Sequence, residues 1–208
     1  MVPLSYNDMR ILISCFEPFG RDVVNSSRQA VDRLPDAIGQ HIIQKVLLPV
    51  SFNRCSREMS EAICEFNPDM VITTGQATRE AICLERQAIN RALSKGADND
   101  GVIASGGRII SDAPDAISTI FPVDIIASSL AADTGQSIKV SNSAGTFVCN
   151  RLYFDVLHRY PTVPSLFVHL PITPAQAATR NVSTPSLPTQ SAAMVLQRLT
   201  LMLADRVL

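Results

Sequence analysis

Ser141-Asn-Ser-Ala-Gly-Thr-Phe-Val-Cys-Asn-Arg-Leu-Tyr-Phe-Asp-Val-Leu-His-Arg-Tyr160 passes from a run of small polar residues into a helical pattern. Val148, Cys149, Leu152, Tyr153, Val156 and Leu157 recur at helical spacing and form one apolar stripe, while Asn150, Arg151, Asp155, His158 and Arg159 take the other face. Ile138 to Ser141 reads as a short strand leading into it, so the stretch is a strand, a loop and a helix in succession. Thr146 is a suitable N-cap, which places Cys149 in the first turn. There the unpaired backbone N–H groups and the positive end of the helix dipole favour a thiolate. Two readings follow: Cys149 is an activated nucleophile, or it is a small buried hydrophobe.

The same alternation continues on both sides. Arg10 to Phe16 is an apolar strand that runs into Pro18 and Gly20, and Ser26 to Leu34 has helical character up to Pro35. His41 to Val50 is a second strand, and a helix from Ser51 through Ile63 ends near Asn67-Pro68. Met70 to Thr74 is a third strand, stopped by Gly75, and Ala81 to Ile89 is a further extended segment with Glu85 inside it. Ser94 to Gly107 is polar and glycine-containing, a long surface loop of the kind that covers a site. Pro122 to Ala132 is a helix, Ser165 to Leu170 a strand, and Ser191 to Asp205 a closing amphipathic helix. This order implies a three-layer α/β/α sandwich around a mainly parallel twisted sheet, in a single domain spanning 1–208. Ligands of such sheets bind at the carboxyl ends of the strands, where Phe16 to Gly20, Gly75-Gln76, Ser141 to Gly145 and His169 all fall.

Composition narrows the function. A chain of 208 residues with 46% hydrophobic content is enough for a substantial core. The net charge is -1 and Lys and Arg are scattered, so neither nucleic acid nor a membrane surface is an expected partner. Cys15, Cys55, Cys64, Cys83 and Cys149 form no C-x-x-C pair and no Cys/His cluster of metal spacing. Neither a disulfide framework nor a metal site is expected, and a reducing cytoplasm is. No signal peptide or membrane span is expected either. Asn25-Ser-Ser27 and Asn181-Val-Ser183 match the glycosylation sequon by chance. G-x-G-x-x-G and G-x-x-x-x-G-K-[ST] are both missing, which sets a nucleotide-binding protein aside.

A nucleophilic cysteine needs a base, and the chain has 3 histidines: His41, His158 and His169. His158 shares the cysteine's helix on the opposite face, and His41 opens a strand at its amino end, the far edge of the sheet. His169 closes a strand on the edge where the first turn of the Cys149 helix belongs. On position alone it is either a core histidine or the base. Glu85 is a carboxylate in an otherwise apolar strand and needs a partner: it orients the imidazole, or it pairs with Arg86 or Arg79.

These residues resemble the pyroglutamyl peptidase I family, also called pyrrolidone-carboxylate peptidases, which are cysteine peptidases that remove an N-terminal pyroglutamyl residue. The likeness lies in Phe16-Glu17-Pro18-Phe19-Gly20 with Asn25, Pro49-Val50-Ser51-Phe52, and Gly75-Gln76-Ala77. It continues through Glu85-Arg86-Gln87-Ala88-Ile89-Asn90, Ser141 to Asn150, and His169-Leu170-Pro171. The resemblance implies that Cys149 is the nucleophile, His169 the general base and acid, and Glu85 the group that orients it. It further implies Phe16 and Phe19 flanking the lactam ring, with Asn25 and Gln76 helping to hold or shape its site. The activity implied is a cofactor-free hydrolysis of peptides with N-terminal pyroglutamate through a thioester, by a homo-oligomer, commonly a tetramer.

The chain departs from the family's pattern at several places. Ser14-Cys15 stands where Thr-Gly is usual, and Arg21 replaces a second glycine after Gly20. Lys95 occupies the position of an arginine implied in oxyanion stabilisation; it keeps the charge but loses the planar fork. The departures leave two alternatives. One is a thiol hydrolase or acyl transferase of altered specificity on the same scaffold. The other is a non-catalytic pyroglutamyl-peptide binding protein, against which the joint presence of Cys149, His169 and Glu85 weighs.

Overall fold

A strand buried on both faces must be covered on both sides, and β1 (Arg10–Phe16) is buried from Ile11 to Phe16. In this computed structural model, which describes residues 8–180 and 185–207, β1 lies near the middle of the sheet. It is followed by α1 (Ser26–Val31), β2 (Ala37–Ile38), β3 (His41–Leu48), α2 (Cys55–Phe66), β4 (Met70–Gln76) and β5 (Ile82–Glu85). Then come β6 (Gln87–Ile89), β7 (Ala116–Ser118), α3 (Val123–Thr134), β8 (Ile138–Ser141) and α4 (Val148–Arg159). The last elements are β9 (Ser165–Leu170), α5 (Pro174–Thr179) and α6 (Thr189–Val207).

The main sheet has the order β2-β3-β1-β4-β9-β5-β8. β3, β1, β4 and β9 are mutually parallel, whereas β5 runs against β9 and alongside β8. The expected mainly parallel α/β sheet is therefore present, with one reversal that the sequence does not announce. The single extended segment read over Ala81 to Ile89 is divided at Arg86. Its second half, β6, pairs with β7 in a separate antiparallel ribbon. β2, β7 and α5 were not expected; α5 carries a legible signal in Thr173, whose side chain forms a capping box with Gln176 behind Pro174.

Alternation along the strands sorts the core into two faces. Ile11, Ile13, Met70, Ile72, Leu166 and Val168 pack with α1, α3 and α6. Leu12, Val71 and Phe167 pack with α2 and α4 on the other side. On α4, Leu152, Tyr153 and Phe154 are all 0% exposed. Each such side chain contributes about 1.5–3 kcal/mol relative to exposure, so docking, not intrinsic propensity, fixes this helix.

Two expectations for α4 need correction. Phe147, not Thr146, is the N-cap and has no side-chain cap bond. The Thr146 hydroxyl instead donates to the Leu93 carbonyl at 2.7 Å, while Leu93 N–H donates to the Thr146 carbonyl at 2.9 Å. Asn150 and Asp155, expected on the solvent face, are buried. Asn150 accepts from Ile89 N–H at 2.9 Å and donates to the carbonyls of Ile89 and Arg91 at 2.9 and 3.0 Å. Asp155 is met by Arg151 at 2.7 Å and Arg159 at 3.7 Å. The segment 94–107 is irregular, as expected, yet closely tied down. Asn99 donates to Glu17 Oε1 and the Pro18 carbonyl at 2.8 and 2.9 Å, and Asp98 accepts from Phe52 N–H at 2.8 Å.

Asn25 lies inside the first sequon match, but its side chain is buried as the N-cap of α1. The second match, Asn181-Val-Ser183, lies outside the described residues. No helix among the described residues is long and apolar enough to cross a membrane.

Candidate active site

Gly75, near the end of β4, is in register with His169 on β9. A Cβ at Gly75 would lie 2.9 Å from Cys149 Sγ and 2.9 Å from Phe167 Cζ. The absence of a side chain is what lets the sulfur at the start of α4 sit against the sheet. Cys149 is half-buried, and His169 is buried beside it with its ring centroid 4.7 Å from that of Phe167.

Glu85 completes the group from below. Because β5 runs against β9, Glu85 is paired in register with Phe167, one pleat short of His169, and is 0% exposed. Its Oε1 lies 2.7 Å from His169 Nδ1. The same oxygen lies 3.2 Å from Arg79 Nη1, and Glu85's own carbonyl accepts from the Tyr153 hydroxyl at 3.1 Å. Glu85 thus meets both the imidazole and one of the two candidate arginines. Arg86 takes no part, since its guanidinium is engaged with Asp124 at 2.7 and 2.8 Å. With a carboxylate on Nδ1, we assign the ring hydrogen to that nitrogen, which leaves the Nε2 lone pair available.

The other histidines lie elsewhere. His41 accepts from Met9 N–H at 3.2 Å at the amino end of β3, and His158 is exposed and stacks on Phe154.

Cys149 and His169 share the wall of a cavity of about 140 Å³. Phe16, Phe19, Val50 and Phe147 supply its apolar surface, and Asn25 and Gln76 also line it. Phe147 and Val50 were not singled out from sequence, although both stand inside segments that carry the resemblance. Phe147 is held edge-on against Phe52 at 5.2 Å and tilted against Phe19 at 6.1 Å. A cavity of roughly 150 Å³ holds a single benzene ring, so this one is sized for one small ring.

The amides of Asn25 and Gln76 are largely committed to the protein. Asn25 Oδ1 accepts from Ser27 N–H and hydroxyl at 3.0 and 2.8 Å, and its Nδ2 donates to the Glu17 carbonyl at 3.0 Å. Gln76 Oε1 accepts from Ser26 N–H and Gln176 Nε2, both at 2.8 Å, and its Nε2 donates to Asp22 at 2.6 Å. Arg180 binds the same Asp22 carboxylate. Asn25 is thus held by near neighbours, and Gln76 by a network the sequence did not reveal, because Asp22, Ser26, Gln176 and Arg180 lie far from it in the chain. Of the departures, Cys15 is buried with its thiol toward the Val46 carbonyl, Arg21 is exposed, and Lys95 is exposed and not among the cavity walls.

Burial pushes the Cys149 thiol up to about 12; Cys55 and Glu85 push the same way, and its own backbone N–H and Arg79 pull down. This corrects the expectation of a depressed thiol: the helix terminus is present, but desolvation outweighs it. Burial also lowers His169 from the usual imidazole value, against the upward pull of Glu85. Burial thus favours the neutral form of both groups. Among the described residues no group of three or more His, Cys, Asp and Glu could hold a metal ion.

A model of the pyroglutamyl peptidase family matches residues 9–203. The chain belongs to the pyroglutamyl peptidase family. Similar members include the pyrrolidone-carboxylate peptidase of Lactobacillus helveticus (strain DPC 4571), 39% identical over 184 residues, covering 86% of this chain and 90% of that one. That of Vibrio parahaemolyticus is 40% identical over 182 residues, covering 86% and 85%. Among solved structures of the family, pyroglutamyl peptidase I of Bacillus amyloliquefaciens superposes with a TM-score of 0.89 at 33% identity, covering 96% of this chain and 98% of the other. Pyrrolidone carboxyl peptidase of Pyrococcus furiosus gives 0.90 at 27% identity, covering 96% and 100%.

Proposed function

We propose that this protein, a cysteine-type hydrolase of the pyroglutamyl peptidase family, removes the N-terminal pyroglutamyl residue from peptides with Cys149, His169 and Glu85 as its catalytic group. The observation that carries this reading is the meeting of Cys149 and His169 in one apolar cavity sized for a single ring, with Glu85 on the far side of the imidazole. Pyroglutamate is a flat, uncharged lactam, so its ring suits the Phe16, Phe19 and Phe147 walls, and its amide needs a few polar partners.

The chemistry then follows from the positions of the groups. His169 Nε2 takes the proton from Sγ as the sulfur attacks the pyroglutamyl carbonyl carbon. The carbonyl oxygen becomes an oxyanion, and a backbone N–H at the start of α4 helps hold it. His169 returns its proton to the leaving amine as the C–N bond breaks, which leaves a thioester. Water, deprotonated by His169, then attacks the thioester; pyroglutamate departs and the sulfur regains its proton. Glu85 holds the imidazole in one tautomer throughout.

The test is release of a fluorogenic amine from its pyroglutamyl amide, with the prolyl amide and Cys149→Ala beside it. Cleavage of the pyroglutamyl amide alone, lost in the variant, supports the reading. No cleavage by folded, reduced protein overturns it. With this reading go a single peptidase domain over 1–208, a cytoplasmic location and a homotetramer, the last checked by sedimentation velocity.

A further inference from the structure

Glu85 presents an unusual arrangement for a buried carboxylate. Both His169 Nδ1 and Arg79 Nη1 approach Oε1, at 2.7 and 3.2 Å, while Oε2 is buried with no hydrogen-bond partner. An ion at 0% exposure needs compensating charge, and a neutral imidazole supplies little. The nearest cation in sequence, Arg86, is turned to Asp124. Arg79 therefore serves as the counter-ion, and its second nitrogen, Nη2, donates to the Ser143 carbonyl at 3.3 Å. Ser143 belongs to the loop between β8 and α4, the loop that sets the position of Cys149.

Resting on the peptidase reading above, we infer that Arg79 is a positioning residue of this centre. Its guanidinium joins Glu85 to the loop that leads into the nucleophile's helix, so the carboxylate, the imidazole and the sulfur are aligned by one clamp. Arg79 is not among the residues that line the cavity.

The clamp also acts through charge. The ionisable groups facing Glu85 and His169 are Arg79 from the loop after β4, Cys149 and Tyr153 from α4, and Cys83, paired in register with His169 from β5. Cys55 of α2 reaches Cys149 electrostatically. Arg79 alone among them is cationic. Removing it makes the Glu85–His169 pair bind a proton more readily, whichever member carries that proton. The protonated pair has no base, so activity is lost at a higher pH than in the parent.

The experiment compares Arg79→Met, Arg79→Gln and Arg79→Lys with the parent, by kcat/KM against pH and by NMR titration of the His169 ring. The acid limb and the ring titration should both move up by about one pH unit in Met and Gln. Lys, which keeps the charge, should stay with the parent. A limb and a titration that stay with the parent in Met and Gln overturn the inference, whether or not kcat/KM falls, because Arg79 would then not be the counter-ion that sets the Glu85–His169 pair. The NMR arm needs no substrate, so failure of the peptidase reading appears separately, as an inactive parent in which His169 still titrates.

Discussion

Gly75→Ala tests the centre most directly, because it adds one methyl group where the sheet and the nucleophile touch. The added Cβ would lie 2.9 Å from Cys149 Sγ and 2.9 Å from Phe167 Cζ, whereas ordinary contact begins at 3.4 Å. Each neighbour must therefore retreat by 3.4 − 2.9, at least about 0.5 Å. Phe167 cannot do so freely, since it is 0% exposed and lies against Tyr153 and His169 at 5.7 and 4.7 Å. Overpacking of this kind costs about 1–3 kcal/mol of stability, and in a protein of this size about 2–4 °C of melting temperature accompanies each kcal/mol. A misplacement of 0.5–1 Å between nucleophile and base should lower kcat/KM by roughly 10- to 100-fold, or about 1.4–2.7 kcal/mol of transition-state stabilisation. Hydrolysis of a pyroglutamyl aminomethylcoumarin amide and a thermal melt measure both. Gly107→Ala, with nothing within 4 Å of its added carbon, is the matched control and should change neither. If Gly75→Ala folds poorly, Phe167→Leu added to it relieves the ring contact and leaves the sulfur contact, so activity should stay low in the recovered protein. Parent-like kcat/KM and melting temperature in Gly75→Ala would refute the claim that this glycine makes room for the sulfur.

Alkylation reports the resting state of the thiol. With Cys149 pushed up to about 12 from its ordinary 9.0, inactivation by iodoacetamide should keep rising above pH 9. A plateau that begins near the imidazole range would instead mean a preformed thiolate–imidazolium pair. Lys95→Arg restores the family's usual residue at an exposed position outside the cavity walls, so its effect on kcat/KM should stay within about twofold. A tenfold gain would place that side chain at the reacting carbonyl.

The order of layers was legible because it rests on local signals, apolar strands ending in Gly or Pro; the short list of histidines and the one carboxylate in an apolar strand narrowed the candidates for the centre, and the roles proposed for them came from the family resemblance. Features fixed by distant partners were not legible. Thr146 looks like a cap until Leu93 offers its hydroxyl another acceptor. Asn150 and Asp155 look solvated until their remote or helical partners are seen. The reversal of β5 leaves no mark on its four residues, yet it sets Glu85's depth. The thiol differs from its local reading for a related reason: a helix terminus is local, whereas the burial that pushes the thiol up depends on the tertiary packing around it.

The three bonds made by Asn150 reach further than the helix they start. Together with the Thr146–Leu93 pair and the Asn99 contacts to Glu17 and Pro18, they fasten the segment 89–107 to the start of α4 and to the loop after β1 at several separate points. Lifting that segment would forfeit about 0.5–1.5 kcal/mol for each bond, and more where a buried partner is left unpaired. The long loop read between Ser94 and Gly107 is consequently a tied strap of the fold, anchored along its length to parts of the chain far away in sequence.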